Sequence, residues 1–169
     1  MYDTATKAEL AEPAREEQEI ESFVTFTVGD HFLGVPIGRV QDILVPDVIA
    51  PVPGGPIEVS GLINLRGRIV TVIDLRARLS LPPPSRETSN RGKCVTVEKD
   101  GEFYTLLVDA VGDVVILPAY QRESNPPTLD PLWQNIVRGV FRQQDNLLII
   151  LDVDRVLDLD NSRTEFNAE

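Results

Sequence analysis

The sequence predicts an all-β protein built as two small, pseudo-symmetric five-stranded barrels packed side by side, with short helical turns. Three observations carry this. The same strand pattern occurs twice: Val24, Phe26, Val28, Phe32, Val35, Ile37, Val40, Asp42 and Ile43 recur as Val95, Val97, Lys99, Phe103, Leu106, Val108, Val111, Asp113 and Val114, each displaced by 95 − 24 = 71, and only the Val28/Lys99 pair changes type. Gly61, Ile73, Asp74 and Leu75 recur as Gly139, Leu151, Asp152 and Val153 at 139 − 61 = 78, so 78 − 71 = 7 residues are inserted in the second copy between Val115 and Trp133. Duplication in register marks a repeated structural unit, and two copies suit a pair of units better than a solenoid. Each copy also divides into short apolar stretches bounded by turn residues, without the span of a long helix. Finally, five short strands in an open sheet would leave edges exposed, which closure into a barrel removes.

The elements follow in order. Residues 22–28 alternate Phe or Val with Ser or Thr, the β-branched and aromatic types that fit a pleated surface. Gly29-Asp30 marks a hairpin turn, and His31–Val35 returns; Lys99-Asp100-Gly101 plays the same part in the second copy. A brief non-strand turn is expected next (Pro36–Arg39, Val108–Ala110), then a strand from Val40 or Val111. Gly67-Arg68 separates Gly61–Arg66 from Ile69–Ile73, and Asp145-Asn146 separates Ile136–Arg142 from Leu147–Leu151. Each half closes on a helical turn, Asp74–Leu79 and Asp152–Leu157, whose leading Asp can accept from the free amides of the first turn. The expected organisation is an acidic tail (1–21), a first barrel (22–84), a linker (85–92) after Pro82-Pro83-Pro84, a second barrel (93–160) and a tail (161–169). Pro118, Pro126, Pro127 and Pro131 place the insertion in a loop of the second barrel.

Composition narrows function. With 169 residues and 42% hydrophobic content the chain can bury a core, and a formal net charge of −11 disfavours nonspecific attraction to nucleic acid or anionic lipid. No apolar run approaches the roughly 20 residues that span a bilayer. The N-terminus lacks a basic-then-apolar leader pattern, so a cytoplasmic protein without direct membrane insertion is expected. The single cysteine, Cys94, forms no intrachain disulfide and reads as a small buried hydrophobe. One His and one Cys give no zinc pattern, no Gly-rich phosphate loop is present, and neither metal nor cofactor is expected.

Asp74, Asp109, Asp113, Asp152 and Asp154 invite a carboxylate-catalysis reading. Asp74 and Asp152 are repeat equivalents, however, and a catalytic residue has no reason to duplicate in step with a barrel; capping explains them, while Asp109 and Asp113 read as turn and surface residues. No catalytic residue is assigned. His31, after a hairpin turn, reads as exposed and Trp133 as core. A hydrolase using the Asp cluster or a ligand-binding barrel pair are the competing classes, the latter requiring a sizeable closed cavity.

The segment Gly61–Leu79, G-L-I-N-L-R-G-R-I-V-T-V-I-D-L-R-A-R-L, resembles the hallmark of the CheW family of chemotaxis coupling adaptors. The likeness extends to F-V-T-F-T-V-G-D (Phe23–Asp30), V-Q-D-I (Val40–Ile43), L-V-D-A-V-G-D-V (Leu107–Val114) and L-L-I-I-L-D-V-D-R-V-L (Leu147–Leu157), so it spans residues 20–160. The resemblance implies two SH3-like barrels and a non-catalytic adaptor. Its partners would be the cytoplasmic tip of methyl-accepting chemoreceptors, held in the groove between the two barrels, and the regulatory domain of a CheA-type histidine kinase, met at membrane-associated arrays. It implies receptor contact for Val40, Asp42 and Arg66, and kinase contact for Ile43, Val45, Ile57 and Thr128. Asp42 stands where the family more often has Glu, one methylene longer. An adaptor of a non-motility system, such as pilus or developmental control, is the alternative. Read without the resemblance, Arg66 is a hairpin-end arginine paired with a local carboxylate, Asp42 a surface acid, and Val40, Ile43 and Val45 either core or an apolar docking patch.

Overall fold

A computed structural model describes residues 19–84 and 92–159. It contains ten strands: β1 (Ile20–Val28), β2 (His31–Pro36), β3 (Val40–Leu44), β4 (Val59–Leu65), β5 (Arg68–Asp74), β6 (Lys93–Lys99), β7 (Glu102–Val108), β8 (Ala110–Pro118), β9 (Val137–Arg142) and β10 (Leu147–Leu151). Three short helices, α1 (Leu75–Arg78), α2 (Pro131–Ile136) and α3 (Val153–Val156), complete it, with single 3-10 turns at Ile37–Arg39 and Ala119–Gln121. The expected tail, residues 1–21, is strand from Ile20, where Ile20 and Glu21 pair with Pro118 and Leu117. The rest of that tail, the linker up to residue 91 and residues 160–169 lie outside the described residues.

Turn chemistry fixes the hairpins. Gly29 takes φ 61° at the first turn position, a conformation open to a residue without Cβ. Asp100 and Gly101 (φ 53° and 81°) and Arg66 and Gly67 (φ 53° and 84°) each place two successive residues in the left-handed region. This is the two-residue turn whose twist matches that of the flanking strands. Asp74 and Asp152 cap α1 and α3 as their repeat equivalence implies, accepting from Arg76 N at 3.0 Å and Arg155 N at 3.2 Å.

The strands form two five-stranded sheets, ordered β8-β1-β2-β10-β9 and β3-β6-β7-β5-β4. The division at the linker is therefore corrected: residues 22–84 and 93–160 do not each close a barrel of their own. A central barrel is made from the contiguous β3–β7, and a terminal barrel joins the β1–β2 hairpin to β8–β10 from the far end of the chain. The two copies have exchanged their first hairpins. The pairings β1·β8 and β6·β3 are images of one another, Val24↔Val114 and Phe26↔Val111 against Val95↔Ile43 and Val97↔Val40. Equivalent hairpins present equivalent edges, so the pattern that specifies each pairing does not specify which copy supplies it. The link from β7 to β8 is Asp109 alone, and Asp109 holds the exchanged parts together. It takes two bonds from Arg76 of α1 (2.6 and 3.2 Å) and one from Gly29 N at the β1–β2 turn (2.7 Å).

Each barrel closes by one bridge between its outer edges, Ala50↔Leu62 in the central barrel and Glu123↔Val140 in the terminal one. This explains the duplicated glycines. A Cβ on Gly61 would lie 2.3 Å from the Ala50 carbonyl oxygen, and one on Gly139 would lie 3.1 Å from that of Glu123. Beside each, a bulge falls at the same repeat position, Val59/Gly61 and Val137/Gly139.

The barrel interiors are repeats too. Ile63, Val70 and Val72 with Leu44 and Phe103 fill the central barrel, and Phe141, Leu148 and Ile150 with Val115 and Phe32 fill the terminal one. Volume is exchanged between neighbours: Phe23 beside Gly34 in one barrel corresponds to Cys94 beside Thr105 in the other. Cys94 is buried as expected, and burial pushes its thiol pKa up.

The largest core lies between the barrels, where Val24, Phe26, Leu33 and Val35 meet Ile73, Val95, Val97 and Leu106. Trp133 is buried in this seam, as expected of a core residue; its indole N–H donates to the Leu79 carbonyl at 3.1 Å. Arg78 is buried there too, donating to the Val156 and Arg155 carbonyls at 2.8 and 3.0 Å. Burial lowers its pKa. His31 departs from its exposed reading: it is half-buried against Trp133, ring centroids 4.8 Å apart. The insertion also differs from expectation. It carries α2, capped by Asp130 with Pro131 in its first turn, and it attaches to the terminal barrel ahead of β9. Pro131 was a helix-start signal rather than a loop signal.

Arg39, in the turn between β2 and β3, binds both carboxylate oxygens of Asp154 (2.8 and 3.3 Å) and the Glu98 carbonyl (2.8 Å). Arg39 holds the Asp154 carboxyl below its ordinary range. A depressed folded-state pKa contributes stability that is present above the unfolded value of about 3.9 and is lost as pH falls through the folded one. Both groups are partly solvated, so this term is expected to reach only about 0.2–1 kcal/mol. Asp154→Asn should flatten the acid limb of a urea-midpoint-against-pH curve by that amount and leave its slope above about pH 5 unchanged.

Candidate docking site

Arg66 occupies the first position of the β4–β5 turn, a left-handed conformation that costs a residue with Cβ about 1–2 kcal/mol. Gly67 N donates to Asn64 Oδ1 at 2.9 Å, which locks the turn. The side chain stands 84% exposed at the tip of the central barrel, and its Nη2 lies 3.4 Å from Asp42 Oδ2 on β3. The other Asp42 oxygen accepts from Ile43 N at 2.9 Å. Sequence reasoning set Arg66 and Asp42 side by side as separate candidates. The Ala50↔Leu62 closure makes them one charged pair, so the plain hairpin-end reading of Arg66 and the docking reading describe the same geometry.

The pair borders a groove of about 270 Å³ lined by Gln41, Asp42, Leu65, Arg66, Arg68 and Phe103. Arg68 and Phe103 were not singled out from the sequence; the guanidinium of Arg68 lies over the Phe103 ring, 4.7 Å from its centroid. A signal was available. Displaced by 78, Arg66 and Arg68 fall on Gln144 and Asn146, so the duplicated barrel lacks both cations where so much else is repeated.

Val40 stands apart from the groove's rim, half-buried against the inter-barrel core. Ile43 and Val45 are exposed along the outer side of the central barrel, and Ile57 is 82% exposed just before β4. Thr128 is exposed on the insertion of the terminal barrel and so belongs to a different face. Their repeat mates Val114 and Ile116, equivalents of Ile43 and Val45, are exposed as well. Asp74 and Asp152 are engaged as caps, while Asp109 and Asp154 bond arginines. Among the described residues no three His, Cys, Asp or Glu side chains gather as a metal site, and no helix is long and apolar enough to cross a membrane.

A duplicated double barrel with a charged groove at one tip and apolar strand surfaces on both halves defines the class: a docking module that works through its surfaces. The CheW-like domain profile matches residues 22–161, and the chain belongs to that family. It is similar to the chemotaxis protein CheW of Treponema pallidum, 26% identical over 92% of this chain and 93% of that one. It is also similar to protein PilI of Pseudomonas aeruginosa, 28% identical over 81% of this chain and 76% of that one. Among solved structures, the scaffolding protein TtCheW of Thermoanaerobacter tengcongensis superposes with a TM-score of 0.73 at 28% identity, covering 83% of this chain and 94% of that one. The two SH3-like barrels are thus those of a CheW-type chemotaxis adaptor.

Proposed function

We propose that this chain is a non-catalytic cytoplasmic adaptor joining the cytoplasmic tip of a chemoreceptor to the regulatory domain of a CheA-type histidine kinase, at membrane-associated arrays. The observation that carries this reading is the Asp42–Arg66 pair, which sets an exposed, conformationally strained arginine beside a groove at the barrel tip. Val40, Asp42 and Arg66 are assigned to the receptor, whose helical hairpin would lie by one face along the groove at Asp42 and Arg66 and run on past its rim to Val40, toward the seam between the barrels. Ile43, Val45 and Ile57 are assigned to the kinase as an apolar patch, and Thr128 to a second contact from the terminal barrel. Control of the kinase then requires that the adaptor favour one receptor–kinase geometry, since equal affinity for both shifts nothing.

Relieving the strain and removing the charge should separate folding from coupling. Arg66→Asn is expected to raise stability by about 0.5–1 kcal/mol, because Asn tolerates the left-handed region. It should at the same time weaken hairpin binding. Arg66→Glu, facing Asp42, should abolish receptor-dependent kinase control while its circular dichroism matches wild type. Normal kinase control by well-folded Arg66→Glu protein would overturn the receptor assignment. The similarity to PilI favours one second reading, an adaptor of a pilus-associated chemosensory system. The genes neighbouring the coding sequence decide between the two.

A further inference from the structure

Resting on the receptor reading of this groove, we propose that Arg68, clamped on Phe103, is the residue that selects the partner, and that it does so by binding a carboxylate on the docking helix. Arg66 is already engaged by an acid of its own chain. Arg68 makes no ion pair among the described residues, and its guanidinium is held over the Phe103 ring at 4.7 Å. Contact with the ring face positions the guanidinium while leaving N–H groups for a partner, and a guanidinium suits two parallel bonds to a carboxylate.

Three features point to an acidic occupant. With Asp42 and Arg66 cancelling, the groove keeps the net positive charge of Arg68 in a chain whose formal charge is −11. Its floor is apolar on the Leu65 and Phe103 side, which matches the aliphatic stem of a helical Glu. The third is the internal comparison. The terminal barrel keeps the equivalents of Phe103 and Asp42, as Phe32 and Asp113, but has Asn146 for Arg68 and Gln144 for Arg66. Phe103 and Asp42 thus recur where the two arginines do not, so the barrel packing that the copies share does not require the cations.

The test is calorimetric titration of the full chain with the purified cytoplasmic hairpin of a chemoreceptor from the same genome, at low and high salt. Arg68→Gln, an exposed change that leaves the barrel core intact, is expected to weaken binding about tenfold and to reduce its salt dependence. Phe103→Leu, checked by thermal melting, should weaken it about threefold by freeing the guanidinium. Arg68→Glu should lose binding more fully and regain it when one tip glutamate of the hairpin is replaced by lysine. If wild type and Arg66→Glu behave as the receptor reading requires but Arg68→Gln binds like wild type, the carboxylate assignment falls alone. If wild type does not bind the hairpin, the receptor reading falls and this inference with it. Sedimentation of the chain by itself covers the remaining occupant: self-association abolished by Arg68→Gln would make a second copy the ligand and overturn the proposal.

Discussion

Gly61→Ala is expected to destabilise the protein by at least about 3 kcal/mol, read as a fall in the urea midpoint at unchanged m-value. The added methyl would sit 2.3 Å from the Ala50 oxygen, 2.9 Å from its carbonyl carbon and 2.7 Å from Ile49 Cγ2. Two of these atoms are backbone of the bridging segment and cannot rotate aside. Ala50 N and O both bond Leu62 at 2.8 Å, so displacing the segment breaks the closure of the central barrel. The φ of 155° adds strain for any residue with Cβ. Gly139→Ala supplies the contrast. Its methyl meets Arg122 Cγ and Cδ at 2.8 and 2.9 Å, and that flexible side chain can move; the nearest backbone atom is 3.1 Å away. We expect about 1 kcal/mol there. Equal costs at the two glycines would show that closure does not depend on this approach. Because Arg66 and Asp42 meet through the same closure, Gly61→Ala should also cost receptor coupling at temperatures where the chain remains folded.

Trp133→Ala is expected to cost about 3–5 kcal/mol, the range for deleting a buried aromatic side chain. The indole touches both barrels: it donates to Leu79 of the central one and packs, tilted by 53°, against His31 of the terminal one. Losing it removes packing from the inter-barrel core, so thermal unfolding followed by circular dichroism should broaden as the barrels begin to melt separately. Trp133→Phe retains most of the apolar contact and removes the donor to the Leu79 carbonyl, for an expected cost of about 1–2 kcal/mol. A Trp133→Ala protein melting as sharply and as high as wild type would mean that the seam is held without it.

Legibility from sequence varied with the range of the interaction. The hairpins and the helix caps were readable because Gly29, Asp100, Gly101, Asp74 and Asp152 act on neighbours a few residues away. The α2 helix was missed, although Asp130-Pro131 is a start signal, because four prolines in the stretch pointed to a loop. His31 was read from its turn, whereas its burial comes from Trp133, supplied by the insertion. At the site, Arg66 and Asp42 were readable as candidates, but their pairing across a separation of 66 − 42 = 24 positions was not. Arg68 and Phe103 went unnoticed because neither breaks the local pattern; at this tip the signal is the absence of arginines from the repeat mates Gln144 and Asn146.

The chain's one-dimensional pattern determined that it would be all strand, that the unit would occur twice, where each strand would turn, and which family it resembles. Those properties follow from side-chain alternation and turn residues, which act locally. Tertiary structure alone decided which hairpin completes which barrel, that Ala50 would close on Gly61, and that one tip would gather Asp42, Arg66 and Arg68 around Phe103. Two copies of a pattern offer each edge two equivalent partners. The choice between them rests on the short link at Asp109, and on the inter-barrel core that forms only when both barrels are in place.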